Sequence, residues 1–137
     1  MIFNCLNCGV EKNGYHSASN KYCNRTCQAE FTYKKYIEDW KAGLITGSKG
    51  KKAVQTSNYI HRYIREKFDN KCVKCGQDDM HNDLPLSLQL EHLDSNSINN
   101  KEENLSLLCP NCHTQTEFYG SKNKGHGRGS IRKKNGY

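Results

Sequence analysis

Apolar residues are scarce in this chain of 137 residues. They make up 34% of it, against roughly 45–50% in ordinary globular domains. A chain this polar cannot rest on a large buried core, and its length allows one ordinary domain or two very small ones. Long apolar runs are missing too: no stretch has the length of a membrane span, so no membrane is expected as a partner. The opening Met-Ile-Phe-Asn-Cys has neither the basic nor the apolar region of a signal peptide, and a reducing cytoplasm is the expected location. Negative charge is the scarcer sign, with 14 Asp and Glu against 21 Lys and Arg, a formal +7. An acidic partner is expected, and nucleic acid is the commonest kind.

What the chain has in quantity is cysteine, eight in all. Cys5-x2-Cys8 precedes Cys23-x3-Cys27, and Cys72-x2-Cys75 precedes Cys109-x2-Cys112. Each set offers four thiolates from two short turns, which suits tetrahedral zinc. Closed four-sulfur sites leave no open position, so both ions are expected to be structural and to add folding free energy. Sequential pairing is favoured because short loops cost less entropy to close than interleaved ones. A disulfide framework would need an oxidising compartment. Cys109-Pro-Asn-Cys112-His113 also reads as a c-type haem attachment motif, but that leaves Cys72 and Cys75 unexplained. A thioredoxin-like role lacks the βαβ pattern that should surround it.

Between the cysteines, residues 1–27 read as a zinc knuckle of short loops and 28–43 as a helix. Tyr33, Tyr36, Ile37 and Trp40 recur at helical spacing as a core-facing stripe, with Gly43 as the stop. Residues 46–56 carry Gly47, Ser48, Lys49, Gly50, Lys51 and Lys52 and read as a basic linker. Ser57 suits the cap of a second helix with Ile60, Tyr63, Ile64 and Phe68 on one face. Leu86, Leu88 and Leu90 alternate with polar residues, predicting a half-buried strand that ends at Glu91-His92. A polar loop follows, then a short strand over Leu105 to Leu108, then a short helix opened by Pro110 and ending near Gly120. Residues 121–137 are basic and glycine-rich with no acid, a flexible tail until a partner binds. The expected architecture is small, zinc-stabilised α+β. A knuckle and helix (1–45) are followed by the linker (46–56), a compact unit (57–120) and the tail (121–137).

Within the compact unit, Leu90-Glu91-His92-Leu93-Asp94, then Asn104-Leu105, then Leu108-Cys109-Pro110-Asn111-Cys112-His113 resembles the HNH endonuclease motif in its four-cysteine form. Cys5-x2-Cys8-Gly9, Tyr22-Cys23-x3-Cys27-Gln28, Tyr36-Ile37-x2-Trp40-Lys41-x-Gly43 and Asn123-Lys124-Gly125 extend the likeness. They are similar to small HNH endonucleases common in bacteriophages, some of them nicking or homing-type enzymes. The resemblance implies a ββα-metal catalytic module preceded by a zinc knuckle and helices. It implies a metal-dependent DNA endonuclease that leaves 5′-phosphate and 3′-hydroxyl ends, working in the host cytoplasm if phage-encoded.

The resemblance also implies roles. His92 would take a proton from water, which an imidazole with a pKa near ~6.5 suits at neutral pH. His113 would hold a divalent ion, Mg²⁺ or Mn²⁺, with Glu91 as a second ligand directly or through water. Asn104 would not touch substrate but would position the His92 loop through its amide. Glu91 stands where the family more often has Asp. Adjacent strand residues point to opposite faces, so Glu91 and His92 share one site only if the strand ends or twists there. Asp94, Asn96 and Asn111 are alternative ligands. His16, His61, His81 and His126 are expected to be surface residues, and Tyr119 to pack in the core, with an approach to the site from the helix end as the alternative.

Charge is unevenly spread. Residues 1–71 carry +7, residues 72–120 carry −6 and residues 121–137 carry +6. The acidic centre cannot attract DNA unaided. The expected grip lies in Lys49, Lys51, Lys52, Arg62, Arg65, Lys122, Lys124, Arg128, Arg132, Lys133 and Lys134. Phosphate contacts of this kind bring salt-dependent affinity and little sequence information. Sequence readout is expected in the N-terminal knuckle. Two rival readings are a zinc-bearing nucleic-acid-binding accessory protein without catalysis and a zinc scaffold for protein partners. The complete Glu91, His92, Asn104 and His113 set opposes the first, and the basic flanks oppose the second. Monomer and homodimer both remain open.

Overall fold

The computed structural model describes residues 2–14, 20–50, 55–117 and 119. The chain divides into two compact units between Ala42 and Gly43. No described helix is long and apolar enough to cross a membrane.

In the first unit, β1 (Ile2–Asn4) pairs antiparallel with β2 (Glu11–Asn13), with Phe3 opposite Lys12. The turn between them is the first cysteine knuckle. Its backbone closes through Gly9 N–H to Cys5 O at 2.8 Å and Cys5 N–H to Val10 O at 2.9 Å. Gly9 takes φ +74°, a left-handed conformation that glycine adopts without steric cost. The helix expected over 28–43 is α1 (Arg25–Lys41). It starts earlier because Asn24 caps it, its Oδ1 accepting from Cys27 N at 2.8 Å. Cys27 therefore stands in the first helical turn. Tyr33, Ile37 and Trp40 are buried, and the Tyr22 and Phe31 rings meet at 5.4 Å. Gly43, at φ +78°, lies just past the helix end.

In the second unit, α2 (Asn58–Lys67) begins at Ser57, whose Oγ accepts from Tyr59 N. Ile60 and Ile64 on its inner face are fully buried, and Leu107 and Leu108 nearly so. Burying each such side chain contributes about 1.5–3 kcal/mol. A short hairpin comes next, β3 (Met80–His81) with β4 (Leu84–Pro85). Its two turn residues, Asn82 and Asp83, both have positive φ, as a tight hairpin turn requires. The central hairpin pairs β5 (Gln89–His92) with β6 (Leu105–Leu108), Gln89 opposite Leu108 and His92 opposite Leu105. A 3₁₀ turn (Glu102–Asn104) leads into β6, and α3 (Pro110–Thr114) leaves it. α2 packs on β6, and α3 on both strands. Glu102 joins α2 to the 3₁₀ turn, accepting from Tyr63 Oη at 2.8 Å and Lys67 Nζ at 3.0 Å.

Two expectations are corrected. The strand expected from Leu86 begins only at Gln89, because β6 has four residues and offers residues 86–88 no partner. α3 stops at Thr114, well short of Gly120. There Thr114 Oγ1 bonds Asn111 O and Thr116 Oγ1 bonds His113 O, turning the chain back on its own backbone. Residues 47–49 and 55–57 pair with each other within the second unit. Ser48 bridges Thr56, Lys49 N–H bonds Gln55 O at 2.7 Å, and Ser57 N–H bonds Gly47 O at 2.8 Å.

Candidate active site

The second knuckle repeats the first. Gly76 N–H bonds Cys72 O at 2.9 Å, Cys72 N–H bonds Gln77 O at 2.8 Å, and Gly76 takes φ +77°. Val73 N–H then bonds Leu107 O at 3.0 Å, which ties this knuckle to β6. Cys109 caps α3 and Cys112 lies in its first turn. In each cluster the four sulfurs lie within 4.8 Å of one another. Individual pairs stand 3.7 Å (Cys8–Cys23), 3.3 Å (Cys23–Cys27) and 3.6 Å (Cys75–Cys109) apart. These are far beyond a disulfide bond. They approach the edge of about 3.8 Å that a tetrahedron with metal–sulfur bonds near 2.3 Å would have.

The thiol energetics also suit a cation. Burial would raise Cys5 and Cys72, but backbone N–H groups outweigh it and bring both down to about 6. The hydrogen bond with Cys27, then burial, pushes Cys23 up to about 12. Burial, then the sulfurs of Cys109 and Cys75, pushes Cys112 up to about 12. Crowded sulfurs resist joint ionisation, and a divalent ion at their centre removes that resistance.

One residue beyond the second cluster, α3 presents His113. Its Nδ1 lies 2.6 Å from Glu91 Oε2 on β5. Yet Nδ1 is buried and makes no hydrogen bond among the described residues. Two donor atoms side by side, one of them otherwise unused, suit a shared cation better than they suit each other. Tyr119, expected in the core, is 43% exposed and sets its ring against His113 at 5.2 Å.

His92 faces different neighbours from Glu91, as strand alternation requires. Its Nε2 lies 2.8 Å from Asn100 Oδ1 and 3.5 Å from Thr56 Oγ1. A cavity of about 190 Å³ opens beside it, lined among others by Lys49, Thr56, His61 and Leu90. His61, expected as a plain surface residue, shares that cavity with His92.

Asn104 is buried and closes the loop after β5. Its Nδ2 donates to Asp94 Oδ1 at 2.9 Å and Asn99 O at 2.8 Å, and its Oδ1 accepts from Asp94 N at 3.1 Å. Asp94 is engaged within the loop, accepting also from Asn99 Nδ2 at 2.6 Å and Asn96 N at 2.8 Å. Burial would raise its carboxyl, but these donors and nearby His92 hold it below the ordinary range. Asn96 accepts from Ile98 N within the same loop. Asn111 lies exposed on α3.

Of the expected phosphate contacts, Arg65 is exposed and Arg62 pairs with Glu66 at 2.8 Å. Lys51, Lys52, Lys122, Lys124, Arg128, Arg132, Lys133 and Lys134 lie outside the described residues, as do His16 and His126. Nothing in the sequence marks Thr56 and Asn100 as site residues. Both are polar residues in Ser/Thr/Asn-rich stretches, and only their burial marks them out.

Residues 72–118 match the family model of the HNH endonucleases. The "H-N-H endonuclease F-TflIV" of Escherichia phage T5 is 48% identical over 56 residues, covering 41% of this chain and 24% of that protein. The chain thus spans about a quarter of the length of that curated relative. No solved structure gives a significant match. The strand, loop, strand and helix that carry Glu91, His92, Asn104 and His113 fall inside the matched segment, so it is through residues 72–118 that the chain is similar to the HNH endonucleases.

Proposed function

We propose that this protein is a metal-dependent endonuclease that hydrolyses phosphodiester bonds of DNA, with β5, β6 and α3 as its ββα-metal core. The observation that carries the reading is the Glu91–His113 contact at 2.6 Å, with an otherwise unused buried nitrogen. Glu91 is joined to His92 by a single peptide bond. A divalent ion, Mg²⁺ or Mn²⁺, held by His113 and Glu91 supplies positive charge where the phosphate and the leaving 3′ oxygen become more negative. His92 removes a proton from water as the oxygen attacks phosphorus. The 3′ oxygen leaves as its bond to phosphorus breaks and takes a proton from solvent water, giving 5′-phosphate and 3′-hydroxyl ends. Asn104 touches no substrate and holds the loop that follows His92. Zinc in each four-cysteine cluster is structural.

Lys49 stands in the wall of the cavity beside His92, placed for a phosphate near the cut. Lys51, Lys52, Arg62, Arg65 and the basic residues of 121–137 add to the grip, and the N-terminal unit reads sequence. The test is incubation of the purified protein with supercoiled plasmid and Mg²⁺ or Mn²⁺, beside His92→Ala. Open circles mean nicking by one site, and linear DNA means paired cuts by a dimer. Failure to cut plasmid, single-stranded or branched DNA with any divalent ion would favour the alternative, a zinc-containing nucleic-acid-binding accessory protein.

A further inference from the structure

We propose that Asn100, braced by Thr56, fixes which ring nitrogen of His92 carries the proton, making it a positioning residue for the base. The inference rests on the reading of His92 as that base. Asn100 is 3% exposed and Thr56 8%. The Asn100 amide is bonded at both ends. Its Oδ1 accepts from Thr56 Oγ1 at 2.9 Å, and its Nδ2 donates to Ser48 Oγ at 3.2 Å. The same Oδ1 lies 2.8 Å from His92 Nε2.

An amide oxygen only accepts. The short contact is therefore a hydrogen bond only if Nε2 carries the hydrogen. In the neutral ring that leaves the lone pair on Nδ1, which becomes the atom that takes a proton from water. The opposite tautomer would set two lone pairs against each other at 2.8 Å, an arrangement that forfeits the bond and leaves the oxygen with Thr56 alone. Thr56 Oγ1, at 3.5 Å from Nε2, is too distant to substitute.

The brace comes from the segment before α2. The Ser48–Thr56 bridge and the bond from Ser57 N–H to Gly47 O bring Thr56 and Ser48 to Asn100. Asn104 and Asn100 thus divide the work. Asn104 grips loop groups at Asp94 and Asn99, and Asn100 grips the ring.

The test reads the ring directly. In the zinc-loaded full chain, long-range ¹H–¹⁵N correlation spectra at a pH where His92 is neutral should show Nε2 protonated and Nδ1 bare. Asn100→Asp keeps an acceptor and should keep that tautomer. Asn100→Leu should give exchanging tautomers and a kcat for plasmid nicking about 10–100-fold lower, with KM for DNA unchanged and Asn100→Asp retaining more of the rate. Nδ1 protonation in the wild type overturns the proposal. So does an Asn100→Leu protein with an otherwise native spectrum that keeps both tautomer and kcat. If Asn100→Leu does not fold, the wild-type and Asn100→Asp spectra decide. A protein that shows Nε2 protonation yet cuts no DNA upholds the ring lock and overturns the nuclease reading instead.

Discussion

The two cysteine knuckles are nearly the same object used in different ways. Both close Cys-x2-Cys-Gly with the same two backbone bonds and a left-handed glycine, Gly9 or Gly76. Both send their last cysteine into the first turn of a helix, Cys27 in α1 and Cys112 in α3. The difference lies in the helix each one starts. α1 runs for 17 residues and buries Tyr33, Ile37 and Trp40, so it holds a core of its own. α3 has five residues and none is buried. So short a helix is not stable alone, and it depends on its cluster and on β5 and β6. The residue after Cys112 is His113. In the first unit a metal cluster would support a helix, whereas in the second it would aim a functional side chain.

That contrast predicts unequal consequences. Cys112→Ser should lower plasmid nicking by at least about 1,000-fold and melt α3. Structural zinc in small modules contributes on the order of 10 kcal/mol, and α3 has no core to fall back on. Cys8→Ser should disorder residues 1–42 while leaving the amide spectrum of the second unit native. Equal loss of that spectrum in both variants would break the comparison.

Next in size is His113→Ala, which should weaken Mn²⁺ binding, followed by titration calorimetry, about a hundredfold or more. Even partners outside the coordination sphere cost 10–100-fold. Both cysteine clusters should retain their zinc in that variant. Zinc lost with His113 would mean that the site and the cluster are a single unit.

A smaller effect separates two asparagines. Asn104→Ala leaves loop groups without partners and should cost about 1–3 kcal/mol, with a fall in kcat. Asn24→Ala removes a helix cap in the first unit and should cost about 1 kcal/mol with kcat unchanged. Thermal melting and nicking rates read both. Smallest is Lys49→Ala, which should reduce the salt dependence of DNA binding by about one phosphate contact and leave both units folded. An unchanged salt slope would remove Lys49 from the grip.

Much of the scaffold was legible because it depends on neighbours in sequence. The cysteine spacing, the Leu105–Leu108 strand and the Ser57 cap are local patterns, and each appears in the structure at those residues. The start of α1 is not legible in the sequence, because the capping role of Asn24 hides among other polar residues. The pairing of Ser48 with Thr56 has no local signal, since glycine and lysine are the commonest residues around it. The short length of α3 came from hydroxyl bonds that composition does not reveal.

The shortage of apolar residues and the surplus of cysteine already pointed to a small scaffold with two cysteine clusters that could hold metal, since apolar residues are few and thiol spacing is a local property. That surplus also changes the charge. Eight thiolates and two divalent ions would bring the formal +7 of the chain to +3. Which nitrogen of His92 is free, and which oxygen stands beside His113, lay beyond the sequence. They depend on Thr56 and Asn100, 44 residues apart, meeting at one ring, and on a helix and a strand converging on one buried nitrogen. Such contacts come from packing, where a polar group without a partner is expensive and chain distance counts for little.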